Sequence, residues 1–178
     1  VVTDRLSTLM SLGLLKDGAL GQTSGGRAPR HVEFRADAGL ILLAVLDHFA
    51  IAVGLADLSG RLLAEHHEAI ELAVGPEAIL ERLSTLLAWL LEDQQTPVWG
   101  IGVAVPVPVS RPTGHLFMAP ALRLQAWHDF PLVEHLAVRF GAPVYLRSNT
   151  QMMTMGEFRS GAGTGLSDML FVKLDRNI

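Results

Sequence analysis

The sequence predicts an α/β fold with a mixed sheet, and three observations carry that prediction. Three β-type runs, Gly39 to Leu46, Ala50 to Asp57 and Leu62 to Ala69, follow one another across short turns, as the strands of an antiparallel meander do. After them, runs of helical period alternate with apolar strand-like runs. Of the 178 residues, 49% are apolar and 18% charged, which supplies a sizeable core and argues against a disordered chain.

Residues 1 to about 36 read as a helix, Gly13-Leu14-Leu15, a polar loop containing Ser24-Gly25-Gly26-Arg27, and a strand-like His31-Val32-Glu33-Phe34. Helix, short strand, glycine loop and strand is the layout of a winged helix. Five basic and three acidic residues give this part an excess of +2 within a chain of net charge −4. A local positive excess favours phosphate contacts. An ordinary hairpin with surface arginines accounts for the same residues equally well, and Asp4 weakens any grip on phosphate.

Within the meander, Leu58-Ser59-Gly60-Arg61 is a hairpin turn. Pro76 to Asp93 carries Ile79, Leu83, Leu86, Leu87 and Leu90 at helical spacing, with Pro76 in the first turn, so an amphipathic helix packed on the sheet is expected. Val98 to Val105 is apolar on both faces, as a central strand covered on each side should be, and Pro106-Val107-Pro108 stops it. Beyond the loop of Ser110 to Gln125, Trp127 to Pro131 leads into a helix over Leu132 to Phe140. A strand at Val144, a helix from Asn149 and a strand over Asp168 to Leu174 complete the series. A three-strand meander followed by alternating helices and strands is the ribonuclease H-like, actin-like plan.

The junction from Tyr145 to Glu157 is where such a sheet keeps ligands, since strand ends leave a crevice and a helix start offers free N–H groups. Where the strand runs out, Arg147 to Gln151 offer hydroxyls, amides and the Arg147 guanidinium, without the carboxylate that proton transfer requires.

The chain has no cysteine, which excludes disulfides, thiolate metal sites and cysteine nucleophiles and agrees with a cytoplasmic location. No apolar run reaches the roughly 20 residues of a membrane span. No signal-peptide pattern is present at the start. Val1 stands where an initiator methionine would, helical periodicity is already running at Val2, Leu6, Leu9 and Met10, and the last residues stop within a turn. Both features predict a piece of a longer protein.

Five segments, SLGLLKDGALGQTSGGRAPRHVEF, ADLSGRLL, GIGVAVPVPVS, MAPALRLQAWHDFPLVEHLAVRFGAPVYL and MGEFRSGAGTGLSDMLFVKL, taken in order over essentially the whole chain, resemble the ROK family of repressors, open reading frames and kinases. The resemblance implies a partial winged helix-turn-helix over residues 1–36. It implies, over residues 37–178, the ribonuclease H-like (actin-like ATPase) N-terminal lobe of a sugar-kinase-like body. The arm before the lobe sets the sequence with the repressors, since the family's kinases lack it.

Against that family, the chemical positions have changed. The first phosphate loop aligns with Val45 to Phe49, so its acid becomes Val45 and its glycine Asp47. The second aligns with Asp175-Arg176-Asn177, without the glycines that let backbone N–H groups approach an anion. The catalytic aspartate falls on Asn149, and an amide is no general base. The sugar-binding asparagine after Ala-Pro is Ala121, the Asn-Asp pair is Ser148-Asn149, and the Pro-Gly-Pro turn is Pro106-Val107-Pro108. Ser148, Asn149 and Gln151 keep groups able to bind hydroxyls, although capping the following helix explains them as well. The family's zinc cluster lies downstream of this chain.

Other residues carry less. His66 and His67 are adjacent on a strand and point to opposite faces, so they cannot share a metal. Trp127-His128-Asp129 reads as a loop that packs its indole. Gly161 to Gly165 precedes a strand, which is the wrong setting for a phosphate loop, and reads as a flexible connector. Met152, Met153 and Met155 read as core fillers.

The resulting expectation is a DNA-binding transcriptional regulator, a repressor without catalytic residues, bound cofactor or metal, and with a body that senses a sugar or dimerises. Thr3, Arg5 and Ser7 on the helix, with Gly25, Gly26, Arg27 and Arg30 on the wing, are the expected DNA contacts, and operator DNA, a sugar effector and a second copy are the expected partners. The alternative is a sugar kinase acting on a hexose or N-acetyl amino sugar with ATP. Effector, operator sequence and oligomeric state are not legible.

Overall fold

The structure is a computed structural model describing residues 2–20, 30–110, 116 and 124–174. Helix α1 (Val2–Ser11) is followed by strands β1 (Leu15–Leu20) and β2 (Arg30–Phe34), which pair antiparallel. The helix ends where Gly13 adopts φ +72°. Gly13 donates its N–H to Met10 and Leu14 donates to Leu9, the paired bonds that close a helix through a left-handed residue. A side chain at position 13 would be strained in that conformation, so Leu12-Gly13-Leu14 is a turn dictated by one residue type.

A short 3-10 turn (Ala36–Ala38) leads into the five-stranded sheet, of order β5-β4-β3-β6-β7. Its strands are β3 (Leu40–Asp47), β4 (Ala50–Asp57), β5 (Leu62–Ala69), β6 (Val98–Val105) and β7 (Val144–Ser148). The first three form the expected antiparallel meander, and β6 and β7 join parallel, β6 on the far edge of β3. The β4–β5 turn is built on Asp57, whose Oδ1 accepts from the Ser59 N–H, the Ser59 hydroxyl and the Arg61 N–H. Those bonds hold its carboxyl below the usual carboxylate range, the Ser59 hydroxyl contributing most.

Helices α2 (Pro76–Leu90) and α3 (Leu132–Phe140) cover one face. Leu42 and Leu46 of β3, Ile51 and Leu55 of β4 and Ile101 and Val103 of β6 are buried there against Ile79, Leu83 and Leu87 of α2 and Leu132 and Leu136 of α3. Trp127 closes the end of this layer, its indole N–H donating to the Leu72 carbonyl at 3.3 Å. The expected structural role of that loop is thereby borne out. On the other face β6 presents Gly100, Gly102 and Ala104, and Val45 and Tyr145 beside them stand exposed. Cover on both faces of β6, expected from its apolar run, holds for Gly100 and Ala104, which are buried, while Gly102 is half-buried; α2 and α3 lie on one face, and helix α4 (Asn149–Ser160) touches β6 as well.

Two further expectations change. Asp168 to Leu174 is not a strand among the described residues, because the sheet closes its order without it. The segment keeps the alternating pattern of a strand, with Leu170 and Leu174 exposed, but makes no ladder. Helix α4 (Asn149–Ser160) touches the sheet chiefly at the ends of β6 and β7 and buries only Asn149. Met153 and Met155 are accordingly exposed and Met152 half-buried, so they do not fill the core.

One ion pair ties α2 to edge strand β5. Arg82 Nε lies 2.9 Å from both Glu68 oxygens and its Nη2 reaches Oε2 as well, holding the Glu68 carboxyl below the usual range. A carboxylate with a lowered folded pKa stabilises the fold above its unfolded pKa and loses that contribution as pH falls through the folded value. Glu68→Gln should therefore lower the melting temperature at pH 7, and its difference from the parent should shrink as pH falls below about 4 and vanish once pH is below the lowered folded value, in thermal denaturation.

Candidate functional site

Two parts of the chain were expected to act, and the structure treats them differently. On α1, Thr3 and Ser7 are exposed one turn apart on the same side of the helix. Arg5, two residues from each, projects to the opposite side, so a groove that meets Thr3 and Ser7 does not meet Arg5 with the same face. The helix buries no residue, and Leu9 and Leu12 stand exposed. Arg30 opens β2, its side chain outside the described residues, as are Gly25, Gly26 and Arg27. On the hairpin, Lys16 and Glu33 pair across the strands at 3.5 Å, which neutralises one of the cations counted toward a basic surface.

The second part is the crevice where β3, β6 and β7 end. Strand β7 turns directly into α4, and Ser148 is its cap: the Ser148 hydroxyl accepts from the Gln151 N–H, and Gln151 Oε1 accepts from the Ser148 N–H, both at 3.2 Å. This reciprocal pair is a capping box. Two of the three expected sugar contacts, Ser148 and Gln151, thus use their side-chain oxygens on the helix itself.

Asn149 differs. It is buried, and its Nδ2 donates to the Leu46 carbonyl at the end of β3 at 3.0 Å, while its Oδ1 has no hydrogen-bond partner among the described residues. Local sequence reading sees a helix cap here. The contact spans 103 positions, and periodicity carries no signal for it.

Around Asn149 the phosphate-binding features are absent from the described residues. At the position of the first phosphate loop, Asp47 Oδ1 accepts from the His48 N–H at 2.7 Å and Oδ2 lies 3.5 Å from Lys173 Nζ. A carboxylate therefore holds the local donor and cation that an entering anion would need. Gly161 to Gly165 is not a loose connector but a series of turns wound on Glu157, whose carbonyl accepts from Gly161 and Gly163 and whose carboxylate accepts from Ala162. The glycine at 163 is required sterically, since a Cβ there would stand 2.9 Å from Phe158 Cα. An anion-binding loop with a resident carboxylate repels phosphate. Ala121 and Asp175 to Asn177, the remaining changed positions, lie outside the described residues.

A separate depression lined by Trp127, Phe130, Leu132, Tyr145 and Arg147 opens beside β7 and excludes Ser148, Asn149 and Gln151. Arg147 donates there to the Leu146 carbonyl at 2.7 Å. His66 and His67 pair with Glu68 and Glu65 respectively, on opposite faces as expected, and no cluster among the described residues could hold a metal. No helix among them is long and apolar enough to cross a membrane.

Comparison with known proteins joins these observations. Over 176 residues, 97% of its length, the chain is 30% identical to a "Putative xylose repressor" of Caldicellulosiruptor sp. (strain Rt8B.4) and spans 43% of that protein. It is 27% identical over 127 residues, 71% of its length, to a glucokinase of Thermotoga maritima, of which it spans 39%. Among solved structures, a ROK family transcriptional regulator, a homolog of the E. coli MLC protein, superposes with a TM-score of 0.70 over 88% of this chain and 40% of its own, at 17% identity, which speaks to the fold. The chain thus spans less than half of each of these relatives. The model of the ROK family matches residues 48–178, and the chain belongs to the ROK family.

Proposed function

We propose that this chain is part of a DNA-binding transcriptional regulator whose sugar-kinase-like body senses a small carbohydrate and does not transfer phosphate. The observation that carries the reading is the helix and hairpin ahead of the sheet. Similarity to the xylose repressor runs through it, over 176 residues, whereas similarity to the glucokinase covers 127. In this reading residues 1–36 are the last part of a winged helix, with Thr3 and Ser7 toward the major groove and Arg27 and Arg30 on the wing toward phosphate. Full-length protein should bind its operator with an affinity that falls steeply with salt, and Arg27→Ala should weaken binding and lower the salt slope by about 1 in titrations over a range of ionic strength. An unchanged slope would remove Arg27 from the interface.

The crevice supports the loss of catalysis. A general base must accept a proton, and Asn149 instead donates its amide to Leu46 while Asp47 guards the phosphate side. A coupled ATP-consumption assay across pentoses, hexoses and N-acetylated amino sugars should show no turnover above background. Turnover that disappears in Asn149→Ala would instead establish the second reading, a sugar kinase, which the similarity to glucokinases favours.

The effector class follows from the repressor relatives, whose names specify xylose. Pentose hydroxyls fit an amide oxygen and capping hydroxyl better than any anion fits this crevice. Calorimetry on the full-length protein should give binding heat with xylose and none with xylose phosphates. Absence of heat with neutral sugars would leave the body a dimerisation or docking unit.

A further inference from the structure

The hydrogen bonding at the end of β3 has an unusual donor. Leu40 donates its N–H to the Pro97 carbonyl at 2.9 Å, so the even-numbered residues of β3 turn their backbone toward β6. The parallel register sets Leu40 opposite Val98, Leu42 opposite Ile101 and Ala44 opposite Val103. In such a ladder a carbonyl accepts from the N–H one position beyond its partner. Carried one step, the register sets Leu46 opposite Val105, and the donor its carbonyl requires belongs to residue 106. That residue is proline, which has no N–H. Leu46 is fully buried, so its carbonyl needs a partner from the protein. The atom that reaches it is Asn149 Nδ2, at 3.0 Å.

We propose that Asn149 is a strand clamp: its side-chain amide supplies the hydrogen bond that Pro106 withholds from Leu46, and so joins the end of β3 to the β7–α4 junction across the end of β6. It is a positioning residue. The chemistry selects an amide. An ionised carboxylate offers acceptors alone and would set an anion against the Leu46 carbonyl, and alanine leaves that carbonyl unmatched. The position at which the family resemblance sets a proton-accepting acid is in this way occupied by a group that must donate. The inference rests on hydrogen-bond geometry and stands or falls independently of the regulator reading.

A double-mutant cycle in the full-length protein, followed by chemical denaturation, tests it. Asn149→Ala should lower the folding equilibrium constant about tenfold. In a Pro106→Ala background, where residue 106 regains an N–H, the same change should cost no more than about twofold. If Asn149→Ala alone does not fold, recovery of folded protein on adding Pro106→Ala supports the clamp and failure to recover overturns it. Asn149→Asp gives the second readout. At pH 7 it should be at least as damaging as Asn149→Ala, and it should approach the parent near about pH 4, where a protonated carboxyl can donate to Leu46. Burial raises the folded pKa of such an acid, so its stability falls as pH rises through the unfolded value. The ionisable side chains on the segments that meet there are Asp47 at the end of β3, His48 after it, Arg147 on β7 and Lys173; their own titration is common to all variants, and Asn149→Ala, which adds no charge, is the reference for it. Equal costs of Asn149→Ala in the two backgrounds, or parallel pH profiles for Asn149→Asp and Asn149→Ala, would overturn the clamp.

Discussion

Strand β3 is paired along its whole length with β4 on one edge, antiparallel, and from Leu40 to Val45 with β6 on the other, parallel. Its backbone groups are therefore committed on both sides. Its alternate side chains Leu42, Ala44 and Leu46 form the floor on which α2 and α3 pack. A one-residue slip would turn Ile41, Leu43 and Val45 into that floor and displace the contacts with Ile79, Leu83 and Leu136. The meander, the crossover helix α2 and the parallel strands β6 and β7 all take their position from this strand.

The same commitment shapes the crevice. Because β3 and β6 run parallel, their C-terminal ends come level, and the ladder between them stops where Pro106 begins. The strand ends leave a space bounded by Asp47 on one side and the start of α4 on the other, and each bounding group already has a partner. Asp47 accepts from His48 and faces Lys173, Ser148 and Gln151 cap α4, and Asn149 donates across to Leu46. Charge and hydrogen-bond polarity disfavour a phosphate there, and Asn149 Oδ1 is buried without a hydrogen-bond partner among the described residues.

Much of the fold was legible from residue order. The runs Ala50–Asp57, Leu62–Ala69 and Val98–Val105 coincide with β4, β5 and β6, and α3 spans Leu132–Phe140 as its apolar spacing predicts. These elements bury a face, and burial writes a period into the chain. The misreadings fall where no such face exists. Asp168 to Leu174 alternates like a strand and finds no neighbour in the sheet, and the methionines of α4 belong to a helix that leaves the strand ends without lying along them. On α1, spacing alone separates Arg5 from Thr3 and Ser7, a distinction available from the helical period.

Residue order was enough for the order of elements, the mixed character of the sheet and the presence of an amide at position 149, because these depend on local periodicity and on which residue stands at a position. What that amide does depends on contacts between segments far apart in the chain. Leu46 and Asn149 are 103 residues apart, and their hydrogen bond exists because the parallel pairing of β3 with β6 brings a buried carbonyl to the point where Pro106 has no proton to give.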